Sequence, residues 1–230
     1  MADPEPAAVD SSQFVERPTE FVVHDAFSLG AFPLALAGAF GLFGWTIAGF
    51  CLLGLTVFVA CFFRNPPREI AGGENSVVAP ADGRVIDVAE IEGPDGKKWL
   101  RIGIFLSVLN VHVNRCPLAG RVVAKDWGGQ AFLAAFNPRA EAENVRCALT
   151  LETAAGVRFQ VVQITGLIAR RIVCHPQLGE WVGRGDRYGL IRFGSRTDVL
   201  LPLTAVAKVK ARDRVRGGST IIAEFEKPEV

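Results

Sequence analysis

Between Asp25 and Arg64 the chain runs for 38 residues, 26–63, without a charged side chain, and no other feature constrains the architecture as strongly. As one helix this run would be about 57 Å long, nearly twice the roughly 30 Å hydrocarbon core of a bilayer. Two shorter helices, 26–43 and 47–63, turning near Gly44, Trp45 and Thr46, fit an apolar phase better. Each half is close to the minimum spanning length, so a spanning hairpin and a monotopic, re-entrant one are both compatible with it. Either hairpin returns its two ends to one side. Arg64 and Arg68, directly after it, assign that side to the cytoplasm by the positive-inside tendency. A buried helical pair in a soluble protein fits poorly, because 230 residues supply little structure to surround so long a charge-free run.

Residues 1–25 are acidic and begin with Pro- and Ala-rich sequence; lacking a basic n-region and cleavage site, they read as a weakly ordered tail. Asn65-Pro66-Pro67 stops the second helix, since proline cannot continue it and biases its predecessor toward extended backbone. Residues 64–230 then follow a mainly β pattern. Short β-branched or aromatic runs at 83–89, 99–105, 121–124, 157–162 and 198–201 are separated by turn residues, and a short helix is expected over 129–136. There is also an internal echo. Val182-Gly-Arg-Gly185 precedes the strand-like run 188–193, and Val215-Arg-Gly-Gly218 precedes 220–225, 33 residues later. Two related hairpin units would produce it, so the expected fold is a mainly β, sandwich- or barrel-like catalytic domain behind an N-terminal hydrophobic helical hairpin.

With 25 basic and 24 acidic side chains the protein has no overall field of the kind that draws nucleic acid, and that class of partner is not expected. The five cysteines, Cys51, Cys61, Cys116, Cys147 and Cys174, form no C-x-x-C pair. They fit a reducing compartment and suggest no metal site.

Gly-Ser occurs twice, at Gly194-Ser195 and Gly218-Ser219. A serine hydroxyl that reaches the carbonyl before it forms an ester, which can eliminate to leave a new N-terminal pyruvoyl group. A preceding glycine tolerates the strained backbone this attack needs. Cleavage before Ser195 leaves 36 residues with two strand-like runs to hold them in a sheet, whereas cleavage before Ser219 leaves only 12. Ser195 is therefore preferred and Ser219 reads as a turn residue. Of three histidines, His24 precedes the hairpin, which leaves His112 and His175 as groups that titrate near neutrality. In Val111-His-Val-Asn114 the side chains of His112 and Asn114 would share one strand face.

The segment Tyr188-Gly-Leu-Ile-Arg-Phe-Gly-Ser-Arg-Thr-Asp-Val-Leu-Leu-Pro202 resembles the processing region of the short bacterial phosphatidylserine decarboxylases. So do Phe62-Phe-Arg-Asn-Pro-Pro-Arg68, Val78-Ala-Pro-Ala-Asp-Gly-Arg84 and Asn110-Val-His-Val-Asn-Arg-Cys-Pro117, in the same order. The likeness covers roughly residues 60–230. It implies self-cleavage between Gly194 and Ser195 into a large and a small chain, with a covalent pyruvoyl group made from Ser195 as the only cofactor. It also implies acid–base work for Asp82 and His112. The larger branch of the family has a second histidine where this chain has Arg115, so His112 serves both steps or His175 contributes.

The implied reaction joins phosphatidylserine to the pyruvoyl carbonyl as a Schiff base, releases carbon dioxide, and returns phosphatidylethanolamine, with His112 the first candidate acid. Arg170 and Arg171 are candidate contacts for the lipid phosphate or carboxylate, although a solvated basic face explains them as well. The enzyme would work at the cell membrane with its catalytic domain on the cytoplasmic side, and homo-oligomerisation is compatible with this reading. Diacyl and ether lipids are both compatible substrates. An alternative is a membrane-tethered carrier with a lipoyl- or biotinyl-like fold, suggested by the turns 79–85 and 215–218, but it lacks a lysine at a hairpin tip.

Overall fold

The computed structural model describes residues 25–93, 95–137, 139–167, 171–192 and 194–226. The apolar run forms two helices, α1 (Asp25–Leu42) and α2 (Thr46–Phe62), which reverse at Gly44, whose φ of 77° suits a residue without a Cβ. Small residues let the helices close. A Cβ added to Gly49 of α2 would lie 3.2 Å from the Ala37 carbonyl oxygen of α1. The outer surface stays apolar, with Phe32, Ile47 and Phe50 exposed by 71%, 81% and 73%. Among the described residues no helix is long and apolar enough to cross a membrane. The base of the hairpin is different, because Phe62 and Phe63 are buried against Val111, Val113 and Leu190 of the following domain.

That domain is built from β1 (Ser76–Val78), β2 (Gly83–Glu92), β3 (Lys98–Leu106), β4 (Val113–Arg115), β5 (Gly120–Gly128), β6 (Arg146–Glu152) and β7 (Arg158–Ile164). It continues with β8 (Ile172–Cys174), β9 (Trp181–Val182), β10 (Arg187–Ile191), β11 (Ser195–Pro202), β12 (Ala205–Ala207), β13 (Arg214–Val215) and β14 (Ile221–Phe225). A one-turn helix, α3 (Ala140–Glu143), precedes β6. One antiparallel eight-stranded sheet runs β13-β2-β3-β11-β7-β6-β5-β9, and two smaller sheets run β4-β10-β8 and β1-β14-β12. The mainly β expectation holds.

β11 is a central strand, paired along its whole length with β3 and along residues 196–200 with β7. Both its faces are covered, so the period-2 exposure of a half-buried strand is absent. Val199 and Leu201 enter the main core with Ile102, Ile104, Leu149 and Phe159, while Leu200 packs on the other face with Trp99, Val162 and Ile164.

The sequence echo has a structural counterpart. Its two strands, β10 and β14, are the middle strands of the two small sheets. The preceding glycines, Gly185 and Gly218, both have positive φ, 84° and 79°. Both also pack on Ile70, which leaves no room for a side chain at either place. Equivalent backbone bonds hold them, from Gly185 N–H to the Cys116 carbonyl (2.7 Å) and from Gly218 N–H to that of Ala79 (2.9 Å).

The helix expected over 129–136 does not form. Gly129 has a φ of 73°, and the N–H groups of Gln130 and Ala131 donate to the Glu143 carbonyl, so this segment is bound to the chain around α3 instead of to itself.

Candidate active site

Ser195 is the first residue of β11 and pairs with Leu106, the last residue of β3. Its side chain is fully buried, and its hydroxyl has no hydrogen-bond partner among the described residues. A buried hydroxyl without a partner is costly unless it has work to do. The residue before it, Gly194, has a φ of 66°, which only glycine adopts without strain. The Gly194 carbonyl rests directly against the α-carbon of Gly166, so a Cβ at 166 would collide with that oxygen and also lie 3.3 Å from the Ala135 Cβ. Gly166 is itself fixed. The preceding Thr165 donates its N–H and its hydroxyl to the Val145 carbonyl at 3.0 and 2.9 Å, and its own carbonyl accepts from Asn144 Nδ2 at 2.8 Å.

His112 follows the turn that leaves β3 beyond Leu106, closed by Asn110 N–H donating to the Ser107 carbonyl at 2.9 Å. Its ring is 1% exposed and stacks on Phe62 of α2 with centroids 3.9 Å apart. Burial pushes its pKa down to about 4, with Arg64 acting in the same direction and the Asn110 carbonyl against it. The ring is therefore neutral near pH 7. Nδ1 lies 2.9 Å from the Asn110 carbonyl oxygen, which can only accept, so the proton sits on Nδ1 and Nε2 offers a lone pair. Nε2 is buried and has no partner among the described residues.

Two neighbours connect this histidine to Ser195. Asn114 lies two residues beyond His112 and donates through Nδ2 to Thr197 Oγ1 at 3.4 Å, while its Oδ1 accepts from Gln163 Nε2 at 2.8 Å. Thr197 is two residues beyond Ser195, on the same face of β11. The Asn114–Thr197 contact thus links the segment of the imidazole to the strand of the serine, whose lone pair and O–H are both buried and without a partner among the described residues. They are not hydrogen-bonded to each other, a looseness common before substrate binds.

On the opposite face of β11 the side chains are charged. Arg196 donates from Nε and Nη2 to both Asp198 oxygens at 2.6 and 2.7 Å and reaches Glu141 at 3.4 Å, while Arg101 bonds Asp87 and Glu141. Burial pushes Asp198 up to about 6 against the pull of Arg196, so it stays ionised at neutral pH. This cluster fixes the backbone immediately after Ser195.

The remaining sequence candidates fall elsewhere. Asp82 sits in the turn before β2, at the same end of β3 as Ser195. Its oxygens accept from Arg68 Nη2 and from the Gly217 N–H, both at 2.8 Å, and it bonds neither Ser195 nor His112. Arg115, at the position of the second family histidine, donates to the Gly185 carbonyl (3.0 Å), to Asn65 Oδ1 (2.6 Å) and to the Pro66 carbonyl (3.1 Å), a clamp on the chain leaving the hairpin. His175 is exposed just past β8. Arg171 is exposed, and Arg170 lies outside the described residues. Ser219 donates its hydroxyl to the Glu69 carbonyl at 2.9 Å, as a turn serine does.

The turns that suggested a carrier module are bonded to each other, Gly218 N–H to Ala79, and carry no lysine. Among the described residues no group of three His, Cys, Asp or Glu side chains is placed to hold a metal. An open groove of about 620 Å³ beside Ser76, Lys208 and Glu224 contains neither Ser195 nor His112.

Sequence reasoning missed Gly166, Gln163, Phe62 and the Arg196 cluster. Only the charged alternation of Arg196 and Asp198 within an apolar strand offered a signal.

Comparison with known proteins gives one consistent result. Residues 55–223 match the family described as phosphatidylserine decarboxylase. A phosphatidylserine decarboxylase proenzyme of Geotalea uraniireducens is 46% identical over 194 residues, covering 82% of this chain and 91% of its own. Namesakes from Burkholderia ambifaria and Aromatoleum aromaticum are each 44% identical, covering 84% and 85% of this chain and 92% and 89% of theirs.

Proposed function

This chain belongs to the phosphatidylserine decarboxylase family, and from that premise we propose that it is a carboxy-lyase that matures by cutting itself between Gly194 and Ser195 and then converts phosphatidylserine to phosphatidylethanolamine. One observation carries the reading: the only Gly-Ser pair with a buried, unpartnered hydroxyl follows a left-handed glycine at the start of a central strand. The relatives are named proenzymes, which accords with a chain that must be processed before it acts.

In this reading Nε2 of neutral His112 takes the proton of Ser195 Oγ, and Oγ attacks the Gly194 carbonyl carbon. The peptide C–N bond breaks as His112 passes that proton to the departing nitrogen, leaving an ester and a free amine, and the imidazole is free again to accept the α-proton. Loss of the Ser195 α-proton then breaks the Cβ–Oγ bond, releases Gly194 as a carboxylate and leaves a dehydroalanine, from which water removes ammonia. The product is a pyruvoyl group on the small chain, whose carbonyl supplies an electron sink for loss of carbon dioxide from an amino-acid headgroup. The orphaned hydroxyl and the glycine before it fit that group. Arg196 and its carboxylates hold the new terminus in register, and His112, having accepted a proton, can return one to the headgroup carbon. Arg170 and Arg171 are candidate contacts for the headgroup anions.

The hairpin is read as a membrane anchor that keeps the catalytic domain on the cytoplasmic face of the cell membrane; no described helix is long and apolar enough to cross, which accords with a monotopic form. The test is mass spectrometry of the purified chain together with carbon dioxide release. Fragments 1–194 and 195–230, the smaller lacking an amino terminus, are expected. A single uncut chain with full decarboxylase activity would refute the proposal.

A further inference from the structure

The eight-stranded sheet has two unlike ends. At one, β2 and β3 are joined by a tight turn in which Gly93 N–H donates to the Lys97 carbonyl, and β6 and β7 by another in which Thr153 N–H donates to that of Val157. At the other, where Ser195 begins β11, three connections from separate parts of the chain present large apolar side chains to solvent. Leu109, Phe136 and Leu167 are exposed by 77%, 70% and 66%.

All three border the bond to be cut. Leu109 lies in the turn that follows Leu106, the partner of Ser195. Phe136 meets Phe105, the partner of Arg196, edge to face at 6.2 Å. Leu167 follows Gly166, on which the Gly194 carbonyl rests. The hairpin is attached at this same end, through Arg64 Nη2 donating to the Leu109 carbonyl at 2.8 Å and Phe62 stacked on His112. Single exposed apolar residues are ordinary on soluble proteins, but a set gathered around one site, at the end where an apolar hairpin is attached, marks an interaction surface.

We infer that Leu109, Phe136 and Leu167 form a second membrane contact, entering the boundary between headgroups and acyl chains and setting the Ser195 end of the sheet against the bilayer. The inference rests on the proposed membrane insertion of the hairpin. A bilayer is the occupant because the hairpin's apolar surface emerges at the same end, so any membrane that receives one must meet the other. Arg171, exposed just before β8, adds a cation for anionic headgroups.

The test combines Leu109→Asn, Phe136→Asn and Leu167→Asn in the full chain. The control is Leu178→Asn, equally exposed at 70% but at the opposite end, where Gly179 N–H donates to Val122. After self-cleavage is verified by fragment mass, carbon dioxide release is measured on phosphatidylserine in phosphatidylcholine vesicles and on monomeric dihexanoyl phosphatidylserine. The triple variant should lose about tenfold more turnover on vesicles than on the monomeric lipid, and the control should lose the same on both. Equal losses in the triple variant overturn the inference. Hydrogen exchange gives a readout independent of activity: on those vesicles, compared with detergent, amides in 107–110, 133–137 and 166–167 should slow. Unchanged exchange there overturns the contact, whereas a wild-type chain that slows there but releases no carbon dioxide from either lipid refutes the proposed function alone.

Discussion

Gly166→Ala is a single-methyl test of the geometry at the carbonyl of the proposed cut. The added Cβ falls well inside van der Waals contact of the Gly194 oxygen, and the Ala135 Cβ, 3.3 Å from it, crowds it further. Nor can residue 166 swing away, since Thr165 is bonded to Val145 and Asn144. The carbonyl must therefore move, by roughly an ångström if an ordinary contact is to be restored. Ser195 cannot follow it, because pairing with Leu106 and the Arg196 cluster fix its backbone. A displacement of this size between nucleophile and electrophile slows a reaction on the order of 100-fold, or about 2.7 kcal/mol of barrier. Pulse–chase synthesis followed by denaturing electrophoresis reads the half-life of the uncut chain. Adding Ala135→Gly opens space behind the methyl group, and should recover about tenfold of the loss if crowding is its cause. Maturation of Gly166→Ala at the wild-type rate would refute the reasoning, as would a slow variant that Ala135→Gly leaves unimproved while both remain folded.

Ser195→Ala should remain uncut and inactive, because alanine has no hydroxyl to begin the acyl shift, whereas Ser219→Ala should mature normally with about 1 kcal/mol less stability from its lost bond to Glu69; fragment masses and carbon dioxide release decide between them. Self-cleavage should be insensitive to pH from neutrality to about 5 and fail as pH drops through about 4, where His112 becomes protonated, which a pH series of precursor half-lives measures. The same shift affects stability. Because the folded pKa lies below the unfolded value of about 6.5, the contribution of neutral His112 is complete above about pH 6.5 and is lost as pH falls toward 4, roughly 3 kcal/mol in all; denaturant titrations of wild type and His112→Phe should diverge over that window. Asp198→Ala leaves the Arg196 guanidinium short of its bidentate partner and should cost about 3 kcal/mol, read from the same titrations.

Features carried by local pattern were legible in the sequence. A charge-free run has only apolar surroundings open to it, so the helical hairpin followed from counting residues. The echo of V-x-x-G followed by a strand reported two equivalent turns, and both glycines do take positive φ beside Ile70. Gly194-Ser195 was preferred over Gly218-Ser219 on fragment size, and the structure adds an unpartnered hydroxyl to one and a hydrogen-bonded hydroxyl to the other. What depends on distant partners was not legible. Nothing near Asp82 announces that Gly217, 135 residues on, occupies one of its oxygens. Nothing near Gly166 announces that it supports the carbonyl of Gly194. The helix expected over 129–136 failed for the same reason, since its apolar spacing is local but its backbone partners lie around Glu143.

With the proposed cut before Ser195, the strand it begins imposes an order on maturation. A cut in an exposed loop can occur in a partly folded chain, but here the hydroxyl and its carbonyl are placed by β11 paired on both sides, and the candidate base by the closed turn after β3. Folding therefore precedes the chemistry. It also holds the product together: of the strands in the 36-residue small chain, β11 lies between β3 and β7, β13 pairs with β2, and β14 pairs with β1. Each of those partners belongs to the large chain, so the peptide bond is dispensable to the fold once the sheet exists. Separated chains have no such template, because a two-sided central strand cannot be completed by either fragment alone. Mixing independently denatured large and small chains should consequently restore little activity, while nicking the folded precursor at this one bond leaves every strand pairing intact.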